Sequence, residues 1–139
     1  MIFIGEMIFL STCAITVEVI VNSVRKKLMK ETDDWALKGT VSAWMIPIYM
    51  LGLTYGFDTI YIVMNNLSDH IIVRWLSYPF WIWSVEFVIG TLFNNKLWDY
   101  SELPFNIAGS VSLLHYPVWV VFGIMFEQIR YLYWSTVWI

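Results

Sequence analysis

Charge is what this chain has least of. Of its 139 residues only 14% are charged, against 59% hydrophobic and 19% aromatic, with a mean hydropathy of +0.64. A soluble domain of this length carries a charged shell that such a composition does not supply. The net charge of −3 offers no field for nucleic acid, and no stripe of Lys and Arg interleaves with aromatics, so no nucleic-acid partner is expected. The single cysteine, Cys13, excludes an intramolecular disulfide and any Cys-x-x-Cys metal or redox motif. Within its apolar stretch it reads as a small packing residue. There is no G-x-x-x-x-G-K-[ST] phosphate loop, so the chain has no such means of hydrolysing ATP. No internal repeat or low-complexity linker occurs, and the length fits one domain spanning 1–139.

What the chain has instead is apolar length. A membrane-crossing helix needs about 20 mostly apolar residues, and four stretches qualify, at about 2–24, 41–64, 71–93 and 107–129. The first has no basic leader and no Ala-x-Ala exit, and it carries Glu6 and Glu18, so it reads as a retained helix rather than a secretory signal. Pro47, Pro79 and Pro117 fall in the other three. They are tolerable where neighbouring helices or hydroxyls satisfy the freed carbonyls. The expected fold is all-α: a polytopic integral membrane protein built as a four-helix transmembrane bundle.

Orientation follows from the basic residues of short loops. Arg25, Lys26, Lys27, Lys30 and Lys38 follow the first stretch, none lies between 65 and 70, and Lys96 follows the third. Glu31, Asp33 and Asp34 lie in the basic segment but count little in this rule. The Arg25–Lys38 segment and the 94–106 loop are therefore expected on the cytoplasmic side, with both termini on the other. Tyr131, Tyr133, Trp134 and Trp138 would form an aromatic belt where the fourth helix leaves the bilayer.

An ionisable side chain at bilayer depth costs about 2.5–3.5 kcal/mol on insertion scales and so faces the bundle interior with a partner. At about 1.5 Å per residue, these groups sort into two layers. Glu6, Asp58, Arg74 and Glu127 fall in the outer half. There Arg74 is expected to pair with Asp58 or Glu6 as a structural ion pair, and Glu127, near a helix end, to be solvated. Glu18, Glu86 and His115 fall in the inner half with no Lys or Arg at their depth, which makes them candidate ligand- or proton-binding residues. Their residue types would suit a divalent metal, but three ligands from three helices have no diagnostic spacing, and neither metal nor cofactor is expected. Neutral, hydrogen-bonded structural carboxyls are the alternative.

The segment NNKLWDYSELPFN, residues 94–106, is polar and aromatic at once. Asp99 and Ser101 are turn-formers that bond nearby backbone N–H groups, Trp98 and Tyr100 are interface residues, Pro104 stops any helix begun here, and Asn106 can cap the fourth helix. The segment is either a folded interfacial turn or the floor of a site beneath the inner carboxylates, in which case Asp99 and Tyr100 join the candidates.

These residues also carry a resemblance. WDYSELPFNIAGSVSL, residues 98–113, resembles the WDYS-x-x-x-F-N-x-x-G pattern of the ABC-transporter type IV (CmpB-like) family, which includes the animal transmembrane protein 229 family. Its loop motif would be Trp98, Asp99, Tyr100, Ser101, Phe105, Asn106 and Gly109. His70-x-x-Val73-Arg74-x-Leu76-x-Tyr78, Glu86-Phe87-x-x-Gly90, Glu18-Val19, the stretch from Gly39 to Tyr49, and Tyr116, Trp119, Glu127 and Gln128 are similar to other parts of the family. Glu6 has no counterpart there. The resemblance implies a transport-related membrane component.

The leading expectation is therefore a small permease-like or channel-like component with a polar inner-leaflet site. The alternatives are an accessory subunit of a larger membrane assembly, or an intramembrane lipid-acting enzyme with Glu86 or Asp99 as base and His115 as shuttle. Membrane lipids are the expected partners, along with further copies of the chain or other membrane subunits.

Overall fold

A computed structural model describes residues 2–28 and 41–137. Within them the chain is all-helical apart from one folded loop. Most of the basic segment behind the orientation rule (Lys30, Glu31, Asp33, Asp34 and Lys38), together with Gly39 and Trp138, lies outside the described residues. The chain divides into two compact units, Met1–Gly56 and Phe57–Ile139.

In the first unit, α1 runs Ile2–Leu28 and packs on α2, Met45–Leu51. Glu6, Leu10 and Ala14 recur every four residues on the buried side of α1, flanked by Ser11, while Ile4, Ile8 and Val21 are exposed. Small residues in such a stripe let two helices approach closely. The α1 hydroxyls do not look for distant partners. Ser11 and Thr12 donate to the Ile8 carbonyl, Thr16 to Thr12 and Ser23 to Val19, which satisfies them within their own helix. Pro47 sits in the first turn of α2, where a backbone N–H has no intrahelical acceptor to lose. A π-helical turn, Gly52–Gly56, follows, with Thr54 fully enclosed and its hydroxyl on the Met50 carbonyl at 2.6 Å.

The second unit contains α3 (Phe57–Leu67), α4 (Ile71–Leu92) and α5 (Tyr116–Val137). α4 and α5 pack antiparallel, as Arg74 meeting Glu127 and Tyr78 meeting Gly123 require. Contact is closest at Gly123, where an added Cβ would lie 2.7 Å from the Tyr78 Cβ and nearer still to the ring. Pro79 interrupts α4 without ending it. The Tyr116 hydroxyl donates to the Leu76 carbonyl at 3.0 Å, placing a donor in the turn that the proline disturbs.

Two helices, Phe3–Val24 and Met45–Leu67, are long and apolar enough to cross a membrane. The second is made of α2, the π-helical turn and α3 in succession. Polarity across the molecule runs opposite to that of a soluble protein. Glu6, Thr54, Glu86, Ser110 and Ser112 are buried, while Ile62, Ile72, Phe80, Val88, Leu92 and Val121 are exposed.

The fourth helix does not start where hydropathy puts it. It begins at Tyr116 rather than about 107 and continues to Val137, beyond the expected end near 129. Residues 106–115 instead form a two-stranded antiparallel ladder, β1 (Asn106–Ile107) with β2 (Val111–Ser112), and a 3₁₀ turn, Leu113–His115. Asn106 consequently caps no helix. Hydropathy counts apolar residues without regard to backbone, and Gly109, at φ 69° behind Ala108 at φ 52°, makes a hairpin turn inside an apolar run. Positive φ at both central residues, with the Ser110 N–H on the Ile107 carbonyl at 3.0 Å, is the type I′ pattern that strand twist favours.

Candidate functional site

The 94–115 loop is tied together by side chains that accept and donate to its own backbone. Asn106 is the hub. Its Nδ2 donates to the Ser101 and Leu103 carbonyls at 3.2 and 2.7 Å, while its Oδ1 accepts the Gly109 N–H at 3.0 Å. Asn95 holds the opposite edge, donating to the Ala108 carbonyl and accepting from the Ser110 hydroxyl at 2.6 Å. The Trp98 indole donates to the Ser110 carbonyl at 2.9 Å, and the Tyr100 N–H to the Gly109 carbonyl at 2.8 Å. The residues of the WDYS motif thus have definite structural tasks. For Asp99 it is an Asx turn: its Oδ1 accepts the Ser101 N–H at 2.9 Å. That bond, seconded by the Ser101 side chain, holds the exposed Asp99 carboxyl below its ordinary value of 3.8. Asp99 therefore serves the turn; its side chain is exposed.

Tyr100 is the residue that turns the loop toward the helices. Its hydroxyl donates to Glu86 Oε1 at 3.1 Å, and its ring meets His115 with centroids 5.1 Å apart. His115 in turn lies 6.1 Å from the Trp119 ring. The Trp119 indole N–H approaches the Glu86 carboxylate from α5 without completing a hydrogen bond. Glu86 is only 8% exposed, and its second oxygen, Oε2, is buried without a hydrogen-bond partner. The structure therefore brings together Glu86, Tyr100 and His115 of the sequence candidates and adds Trp119. Glu18 belongs to the first unit, where the Tyr49 hydroxyl donates to it at 2.8 Å. Among the described residues, no three His, Cys, Asp or Glu side chains gather as a set able to hold a metal ion.

The outer ionisable residues pair differently from expectation. Arg74 bonds Glu127 rather than Asp58. Its Nη2 meets Glu127 Oε1 at 2.6 Å, its Nε meets the other carboxylate oxygen, and its Nη1 donates to Asn65 at 3.1 Å. The Tyr78 hydroxyl donates to the same Glu127 carboxylate, and the guanidinium stacks 4.9 Å from the Tyr61 ring centroid, within cation–π range. Asp58 pairs instead with Arg130 at 2.7 Å. Glu6 is completely enclosed. Glu127, expected to be solvated, is the centre of this network because α5 extends eight residues past the predicted helix end, so Glu127 sits inside the helix and not at its tip. Its spacing of four from Gly123, the small residue facing Tyr78, was the signal in the sequence: i, i+4 residues share a helix face.

The family model described as "Putative ABC-transporter type IV" matches residues 6–138.

This chain belongs to that family. The match runs through both units and includes the WDYS loop, Glu18, Arg74, Glu86 and Glu127. No solved structure matches the chain. Family membership, with the two long apolar helices, points to a transporter-related component of a membrane.

Proposed function

We propose that this chain is a small permease-like or channel-like membrane component in which α4 and α5 also cross the bilayer, with a polar site centred on Glu86. The observation that carries the reading is the enclosed Glu86 carboxylate, met by Tyr100 from a folded loop and flanked by His115 and Trp119. At 22 residues each, α4 and α5 would measure about 33 Å at 1.5 Å per residue, enough for the hydrocarbon core. Their exposed faces are apolar: Ile72, Leu76, Phe80 and Val88 on α4, Val118, Val121 and Leu132 on α5. In this reading the Arg25–Lys38 segment and the 94–115 loop face the cytoplasm, and both termini the other side.

Four helices enclose little space, so the working unit is an oligomer of this chain or an assembly with other membrane subunits. The decisive experiment is reconstitution into liposomes with flux assays for ions and small solutes under imposed gradients. Flux that Glu86→Gln abolishes without loss of folded protein supports the reading. Absence of flux under every gradient overturns it.

A second reading, an accessory subunit of a larger assembly, is favoured by one observation: the family bears a transporter name while this chain contains no phosphate loop of its own. Under it, Glu86→Gln and Asp99→Asn would reduce recovery of an intact assembly with no separable transport activity to lose.

A further inference from the structure

We propose that Glu86 is a proton-binding site loaded from the loop side through the Tyr100 hydroxyl, so that the species handled at the polar site is the proton itself. This rests on the transport reading above and names its substrate.

The geometry points that way in three steps. First, Glu86 is 8% exposed and Oε2 is buried with no hydrogen-bond partner. A carboxylate oxygen out of water without a donor is costly as an anion and becomes satisfactory once it carries a hydrogen. Second, among the described residues the groups that meet Glu86 include no Lys or Arg. From the loop comes the Tyr100 hydroxyl, from α5 the Trp119 indole, and the His115 ring lies between these two. On α4 the neighbours one turn away are Ile82, Trp83, Ile89 and Gly90. Lys96 and Glu102 are exposed on the loop, and the Asp99 carboxylate is turned to the Ser101 N–H. Arg74 is three turns down the helix, about 18 Å away at 1.5 Å per residue, and is engaged by Glu127. Third, a metal ion does not suit the site, since one carboxylate and one imidazole are too few ligands. A proton needs only one oxygen and a hydrogen-bonded route.

That route begins at Tyr100. Its hydroxyl donates to Oε1 and is carried by a loop whose other side is exposed. In the transfer the Tyr100 O–H bond breaks as its proton passes to the Glu86 carboxylate, and the phenol oxygen simultaneously takes a proton from a water at the loop surface. Tyr100 ends neutral, Glu86 ends as a carboxylic acid, and a hydroxide, or a buffer base in its place, is left in solution. The His115 ring packs against the Tyr100 ring, with centroids 5.1 Å apart, and so braces the hydroxyl that carries the proton. The Trp119 indole lies beside the Glu86 carboxylate but is far too weak an acid to pass its proton on, which makes it a positioning residue.

The test combines two readouts on the full chain. The first is infrared difference spectroscopy of protein in lipid across pH 4–9, which follows the carboxylic C=O stretch; the second is a pH-sensitive dye inside proteoliposomes under an imposed proton gradient. The expected result is a protonated-carboxyl band that titrates, disappears in Glu86→Gln and persists in Tyr100→Phe, with proton entry at least tenfold slower in Tyr100→Phe. Glu86→Asp, which keeps the acid, should retain a shifted band and part of the flux. No titrating band removed by Glu86→Gln, in protein shown folded by circular dichroism, overturns the proposal. So does proton entry unchanged in Glu86→Gln. Solute flux without proton movement would refute this inference and leave the transport reading standing. A titrating Glu86 band with no flux of any kind would leave the proton site standing and refute the transport reading.

Discussion

The contact of Gly123 with Tyr78 gives the most direct test of the α4–α5 packing. Replacing Gly123 with Ala adds one methyl group, 2.7 Å from the Tyr78 Cβ and closer to the root of its ring. That ring cannot swing aside. Tyr78 is 2% exposed, stacks 5.2 Å from Phe57 and has its hydroxyl on Glu127. The helix must therefore move, and overpacking of this kind costs about 1–3 kcal/mol. Moving α5 also strains the hydrogen bond from Tyr78 to a charged acceptor, a class worth about 1.5–3 kcal/mol. Against this, alanine improves a helix interior over glycine by about 1 kcal/mol. The balance is a net destabilisation of about 2 kcal/mol, or about 30-fold in the folding equilibrium. Denaturation by SDS in bicelles, followed by circular dichroism, measures it. Gly52→Ala is the internal control, because an added Cβ there meets nothing within 4 Å; only the propensity gain of up to about 1 kcal/mol should remain. If Gly123→Ala matches or exceeds the wild type, or behaves as Gly52→Ala does, the close packing of α4 on α5 is refuted.

Three further outcomes are expected. Arg74→Gln should destabilise by about 3 kcal/mol, the low end for breaking a buried pair, because side-chain exposures of 12% and 20% leave some solvation; Arg74→Met combined with Glu127→Leu should cost less than either single change, as a double-mutant cycle would report. Asn106→Ala removes three bonds to loop backbone and should cost about 1–2 kcal/mol at roughly 1 kcal/mol for each, discounted for partial exposure, seen as faster amide exchange at Gly109. The Asp99 carboxyl is depressed in the folded loop, so its stabilising effect is full above the ordinary value of 3.8 and disappears as pH falls through the lower folded value; a ¹³C titration should place Asp99 below 3.8 and move it upward in Ser101→Ala, while an unshifted Asp99 would contradict the turn.

Much of the architecture follows from apolar length and periodicity. The first and third helices were legible from their apolar runs, the third to within a residue of its end and the first four residues short, because each mostly apolar run gives way to a polar one. The start of α5 was not, since Ile107, Val111, Leu113 and Leu114 are as apolar as a helix, and only the Ala108–Gly109 turn betrays the ladder. The chemistry of individual positions was visible in part. Tyr100 and Glu86 could be singled out by type, but the 14-residue interval between them closes through a loop fold that no spacing rule encodes. Ion-pair partners were the least legible. Depth in a helix says which charges share a layer, whereas the choice of Glu127 over Asp58 for Arg74 depends on helix rotation and on the true end of α5.

The pairing of α4 with later sequence has a consequence for how the chain is made. With α4 across the bilayer as proposed, it enters the membrane carrying Arg74 and Glu86, yet the partner of Glu86 is 14 residues further on and that of Arg74 is 53 residues further. At about 5–20 residues per second of synthesis, Arg74 waits about 3–10 s for Glu127 to be added. During that interval the Arg74 charge lacks its carboxylate partner and has only Asn65 and Tyr61, already made, to face it. The helix has to remain beside the insertion machinery until α5 follows it, and the two are released into lipid as a hairpin. A ribosome stalled between Tyr100 and Glu127 should therefore leave α4 crosslinked to that machinery rather than to lipid.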